Sequence, residues 1–304
     1  MQIMSLMTAL PGAAAQGLIW GIMAIGVYIT FRILDIADLT VDGTLCTGGA
    51  VCIMMMLSGH NVWVSMLAAT GAGLLAGLAT GIFHTFMGIP AILAGILTQL
   101  SLYSVNLKIM GKANQAINVD KFNLLVSLRR VKGVALTQNT LFIVAIMIII
   151  LIAVLYWFFG TELGCSLRAT GCNPSMSRAQ GINTDRNKVL GLMLSNGLVA
   201  LSGALLTQYQ GFADINMGRG SIVIGLAAVI IGEAIFSRIF RNFALKLLSV
   251  VFGSILYYLV LQIVIWMGID TDLLKMLSAL VVAFFLAFPY WKGKYFTKAK
   301  QGGK

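Results

Sequence analysis

"TLFIVAIMIIILIAVLYWFFGTELGCSLRATGCNPSMSRAQGINTDRNK", residues 140–188, joins two chemically opposed halves. The first 21 residues carry no charge. As a helix they span about 32 Å, enough to cross a bilayer core of roughly 30 Å. The second half is polar, dotted with Arg and Gly, and leads straight back into hydrocarbon at residue 189. A chain that leaves one apolar run and re-enters another through a short polar segment reads as a membrane protein exposing a small knob.

The rest of the chain agrees with that reading. Of 304 residues, 59% are hydrophobic and only 10% charged, against about 25% charged in a soluble domain. Runs near 20 residues recur where an outer-membrane barrel would show ten-residue alternation. The expected class is all-α, a single polytopic helical membrane domain over residues 1–304. It has about nine transmembrane helices, at 13–33, 41–57, 62–86, 90–110, 140–160, 189–209, 221–236, 244–267 and 272–291. The 33 glycines serve close helix contact in lipid, most densely in "ATGAGLLAGLATG", residues 69–81.

Orientation follows from Lys and Arg, which favour the cytoplasmic side of short loops. If residues 161–188 are cytoplasmic, that side also holds Arg32, Arg238, Arg241, Lys246 and the basic tail 292–304. The other side holds Lys275, Arg219 and a basic external loop, 107–139. The balance predicts an outside N-terminus and a cytoplasmic C-terminus. The start of the chain, "MQIMSLMTALPGAAAQG", lacks a basic n-region and argues against a cleaved signal peptide.

Chemistry-bearing motifs are sparse. The sequence contains no GxxxxGK[ST], no dinucleotide fingerprint and no HExxH. Cys46, Cys52, Cys165 and Cys172 lack metal-ligand spacing and read as packing residues or free thiols. His60 and His84 read as solvated or packed. The net charge of +11 is carried on loops and sets orientation rather than binding nucleic acid. Acidic residues inside spans are the exception, since ionisable groups in a membrane are costly and mark function. In "RILDIADLTVDGTLC", Asp35, Asp38 and Asp42 would form one stripe on a continuous helix. Asp38, Thr40 and Asp42 are then candidates for a translocation path or an ion site. The competing reading puts the carboxylates at the interface beside Arg32. Glu233 reads as a cap or as the ion partner of Arg238 or a central-loop arginine.

Within the central loop, "NPSMSRAQGI" carries a helix-start signal, with Asn173 as cap and Pro174 at the first helical position. Gly181 is placed to stop that helix. The result is a short helix between two spans, bearing Ser175, Ser177 and Arg178, which reads either as a plain interfacial loop or as a knob that can dock into a groove on a soluble partner.

Residues 164–206 then resemble the signature region of bacterial ABC-importer permeases of the branched-chain amino acid and ribose family. Gly164, Leu167, Arg168, Ala169, Gly171, Asn173, Ala179, Gly181 and Ile182 occupy its pattern, and Ser202-Gly203-Ala204 resembles the following turn of small residues. "IADLTVDGTLCTGGAV", "GIPAILAGILT" and "GLAAVIIGEAIF" are similar to further segments in the same order, so the likeness runs from about 15 to 290. Asp42 and Glu233 stand where small residues are usual. The pattern is most similar to the subgroup paired with lipoprotein-like binding proteins for amino acids.

The resemblance implies a permease subunit in the bacterial inner membrane that is not itself an enzyme. Its partners would be a cytoplasmic ATPase dimer, which binds ATP and Mg, an external substrate-binding lipoprotein and a second permease copy. The permease chain would carry no cofactor of its own. The implied coupling residues are Arg168, Gly171, Asn173, Pro174, Arg178, Ala179, Gly181 and Ile182. A stand-alone carrier using Asp38 and Asp42 as an ion site is the alternative.

Overall fold

A computed structural model describes residues 2–119, 122, 124–131, 139–236, 240, 242–267 and eight positions between 273 and 287. Most of the expected ninth span, together with Arg238, Arg241, Lys275 and the basic tail, lies outside the described residues.

Among the described residues ten α-helices are formed: α1 Gln2–Tyr28, α2 Val41–Leu57, α3 Val62–Thr85, α4 Ala91–Met110, α5 Thr140–Gly160, α6 Glu162–Cys172, α7 Pro174–Ala179, α8 Thr184–Gln210, α9 Ser221–Phe236 and α10 Phe243–Trp266. Six stretches among the described residues are long and apolar enough to cross a membrane: Ala9–Ile33, which is α1 with its continuation, α3, α4, α5, α8 and α10. The helices α2 and α9 are apolar but shorter, at 17 and 16 residues. Eight of the nine expected spans therefore fall on helices.

The helix α1 sits at the centre, with Ile19, Ile22, Met23 and Ile25 fully buried. Apolar burial provides little attraction between helices in lipid, so hydrogen bonds and tight packing must hold them. Four α1 carbonyls serve this purpose. Gly12 accepts from Tyr209 Oη (3.0 Å), Gly17 from Ser254 Oγ (2.7 Å), Ile19 from Ser202 Oγ (2.8 Å) and Gly26 from Ser195 Oγ (2.7 Å). Helices α8 and α10 are thereby fastened to α1.

The helices α3 and α8 run antiparallel, backbone against backbone. A Cβ on Gly77 would overlap the Leu192 carbonyl, and one on Gly73 the Asn196 carbonyl. The glycine-rich stretch 69–81 thus serves packing, as its composition predicts.

The two ends of the bundle differ. One carries α6 and α7. The other carries an antiparallel ribbon of β1 (Asn114–Ala116) and β2 (Phe212–Asp214), which ties the 107–139 loop to the segment after α8. In that loop Arg130 donates to the Leu124 carbonyl at 2.8 Å, so this cation braces its own loop.

The stripe of three aspartates does not form. The helix α1 runs into a π turn, Ile29–Ile33, and the chain is non-helical until α2. Asp35 takes φ +55° and is exposed. Helical spacing cannot align side chains across an interruption.

Candidate coupling helix and buried polar cluster

The polar stretch 162–188 is mostly helical. Thr161 caps α6 by accepting from the Gly164 amide (3.3 Å), and Asn173 caps α7 by accepting from the Met176 amide (3.0 Å). Pro174 occupies the first turn of α7. Gly181 follows at φ +79°, a left-handed conformation that suits glycine and ends the helix. The cap and stop read from "NPSMSRAQGI" are both formed. The helix α6 was missed, although Thr161 before an acidic first turn is an ordinary start signal.

The outward surface of this knob comprises Pro174, Ser175, Met176, Arg178, Ala179 and Gly181, all exposed, while Ser177 is buried. Two of the expected coupling residues make contacts within the chain. Arg178 Nε donates to Thr184 Oγ1 at 2.8 Å and its guanidinium lies 3.6 Å from Asp185, which staples α7 to the start of α8. At Gly171 a Cβ would overlap the Ile33 carbonyl, so α6 lies directly on the π turn. Arg168 turns to the other side, its guanidinium 5.9 Å over the Phe243 ring. Met176, 62% exposed at the tip, is a contact that sequence reading did not single out.

Beyond the π turn the chain folds back into the bundle. Asp38 is 2% exposed and Thr40 fully buried. Asp38 Oδ1 accepts from the Thr40 amide (2.9 Å) and Oδ2 from Asn196 Nδ2 (2.7 Å). Asn196 Nδ2 also faces the Leu192 carbonyl at 3.0 Å, which can only accept, so its Oδ1 is the atom that accepts from Thr44 Oγ1 at 2.7 Å. On the other side Thr40 Oγ1 meets Thr80 Oγ1 at 2.7 Å, and Thr80 Oγ1 meets Thr98 Oγ1 at 2.9 Å. One network therefore joins segment 34–40, α2, α3, α4 and α8. Asn196 is the thirteenth residue of α8, roughly 18 Å along its axis, so the network sits near mid-bundle. Thr44, Thr80, Thr98 and Asn196 were missed because their partners lie 18 to 158 residues apart.

Asp42 does not belong to this cluster. It accepts from Gly220 N (2.9 Å), Ser221 Oγ (2.8 Å) and Ile222 N (3.0 Å), capping α9 from another helix. A carboxylate so saturated leaves no Asp38/Asp42 pair to hold an ion. Glu233 pairs with Arg32 at 3.0 Å, not with a central-loop arginine, because the π turn carries Arg32 to the end of α9. His84 Nδ1 lies 2.9 Å from the Ile89 carbonyl and His60 is exposed.

Comparison with known proteins agrees along nearly the whole chain. Residues 10–286 match the family model "Branched-chain amino acid transport system / permease component". The chain is 37% identical over 281 residues to the tyrosine transport system permease protein of Clostridioides difficile, covering 92% of this chain and 91% of that one. It is 25% identical over 246 residues to the fructose import permease protein of Bifidobacterium longum, covering 81% and 67%. To the autoinducer 2 import system permease protein of Escherichia coli it is 28% identical over 222 residues, covering 72% and 61%. No solved structure matches. The chain belongs to this permease family: it is a multi-pass membrane subunit of an ABC importer, and ATP hydrolysis resides on a separate subunit.

Proposed function

We propose that this permease imports an amino acid or a closely related solute, and that α7 is the helix through which the ATPase drives it. The family supports an ATPase partner and a substrate-binding protein, and the tyrosine transport permease of C. difficile favours an amino acid. In this reading the knob faces the cytoplasm, the N-terminus lies outside in the bacterial inner membrane, and two permease copies pair over an ATPase dimer. A binding lipoprotein delivers solute at the ribbon end, over the basic 107–139 loop.

The single observation that carries this reading is a continuous line of contact. The α7 tip is covalently continuous with α6, and Gly171 of α6 rests against Ile33. From Ile33 the chain runs five residues to Asp38, in the buried cluster. A push on Met176 thus has a short route to Asp38 and Thr40. Those two residues are closed off in this conformation and would line the path once it opens. Asp42, expected on the path, holds the α2–α9 junction instead.

The test is to place Ala179→Glu, Met176→Glu and Gly181→Trp in the reconstituted transporter. Each should reach the membrane in normal amount while ATPase stimulation and uptake fall at least tenfold. Normal uptake by all three variants would remove α7 from the coupling role.

A further inference from the structure

At the end of the bundle that carries α6, an open cleft of about 910 Å³ lies between the π turn, the last turn of α5, α6, the end of α9 and the first turn of α10. Its walls hold Arg32, Arg168 and Lys246 against one carboxylate, Glu233. That carboxylate is already engaged with Arg32, which leaves the cleft with an excess of positive charge. Arg168 contributes from α6, its Nη2 3.3 Å from Cys165 Sγ, and among the described residues no carboxylate pairs with Lys246.

The depth of the cleft matters as much as its charge. Its walls are the termini of membrane helices, which is where phospholipid headgroups lie. The outward face of α5 exposes Ile146, Ile149, Ile150 and Val154 and ends in Tyr156 and Trp157, the latter 72% exposed. An apolar stripe finishing in Tyr and Trp marks the boundary between acyl chains and headgroups. The helix α7 lends no residue to the walls, so the cleft is separate from the coupling tip.

We propose that this cleft binds the phosphate headgroup of an anionic phospholipid, with Lys246, Arg168 and Arg32 around the phosphate and Trp157 beside the acyl chains. Basic pockets between membrane helices suit such headgroups, and each nearby cation strengthens binding about fivefold. Glu233 weakens the site by holding Arg32. This assignment rests on the membrane boundary alone and does not depend on α7 being the coupling helix.

The experiment uses the full-length permease in neutral detergent, read by native mass spectrometry and thermal midpoint. Phosphatidylglycerol, phosphatidylcholine and inorganic phosphate are titrated separately. Phosphatidylglycerol should be retained and raise the midpoint, while the other two do neither. Lys246→Gln should weaken retention about fivefold, and Lys246→Arg should restore it. Glu233→Gln should strengthen retention, a gain that misfolding cannot mimic. Equal retention of phosphatidylcholine would overturn the proposal, as would an unchanged affinity in Glu233→Gln. Protection by inorganic phosphate alone would make the cleft a free-anion site and reject the lipid. Loss of ATPase binding in Lys246→Gln with lipid retention intact would assign the cleft to the partner protein and overturn it too.

Discussion

Asn196→Asp would place a second carboxylate against Asp38. The two facing atoms are now 2.7 Å apart, nitrogen to oxygen. Two like charges at that separation repel by about 6 kcal/mol even at an effective dielectric of about 20. Taking up one proton relieves part of this, and we expect a net loss of about 3–5 kcal/mol, the range for an uncompensated buried charge. Asp38→Asn alone keeps the oxygen that meets the Thr40 amide but turns a donor toward a donor, for about 1–2 kcal/mol. Combining the two rebuilds the pair in reverse, because Asn at 38 donates while Asp at 196 accepts from it and from Thr44. The defect left behind is the oxygen now facing the Leu192 carbonyl, at about 1 kcal/mol. The double variant should therefore be several kcal/mol more stable than the sum of its parts. Thermal midpoints of the four purified proteins measure this. A double variant as unstable as the sum would show that Asp38 and Asn196 are not partners.

Two other perturbations separate the remaining elements. Asp42→Ala removes the acceptor of three hydrogen bonds at the start of α9 and should cost about 1–2 kcal/mol, seen as faster amide exchange confined to residues 220–224. Asp42→Asn should retain part of that protection. Gly171→Val must separate α6 from the π turn, since its Cβ has no room beside the Ile33 carbonyl. An overpacked contact of this kind costs about 1–3 kcal/mol. The protein should stay folded yet lose coupling, read as basal ATPase activity that solute-loaded binding protein no longer stimulates.

How far the sequence could be read depended on whether the information was local. Asn173, Pro174 and Gly181 act within a few residues, and their cap and stop appear as the pattern implies. Long apolar runs are equally self-contained, so eight spans fall where hydropathy places them. The aspartates failed because their expected alignment presumed helix continuity, and nothing in "RILDIADLT" marks a π turn followed by an extended return. Thr80, Thr98 and Asn196 look like ordinary polar residues of membrane helices, and only the packing of α3, α4 and α8 brings them to Asp38. Arg178 is exposed on the knob as the pattern implies, but its contacts with Thr184 and Asp185 depend on the turn that joins α7 to α8.

The contact between α3 and α8 has a further consequence. Where Gly73 and Gly77 meet the backbone carbonyls of α8, no side chain lies between the helices that could adopt a new rotamer. The pair behaves as one plank, and any change of shape must be taken up where the backbone is not helical. Two such joints stand close together, segment 34–40 and segment 215–220. Asp42 clasps the second from the first turn beyond the first. One carboxylate thus ties the exit of the first joint to the exit of the second.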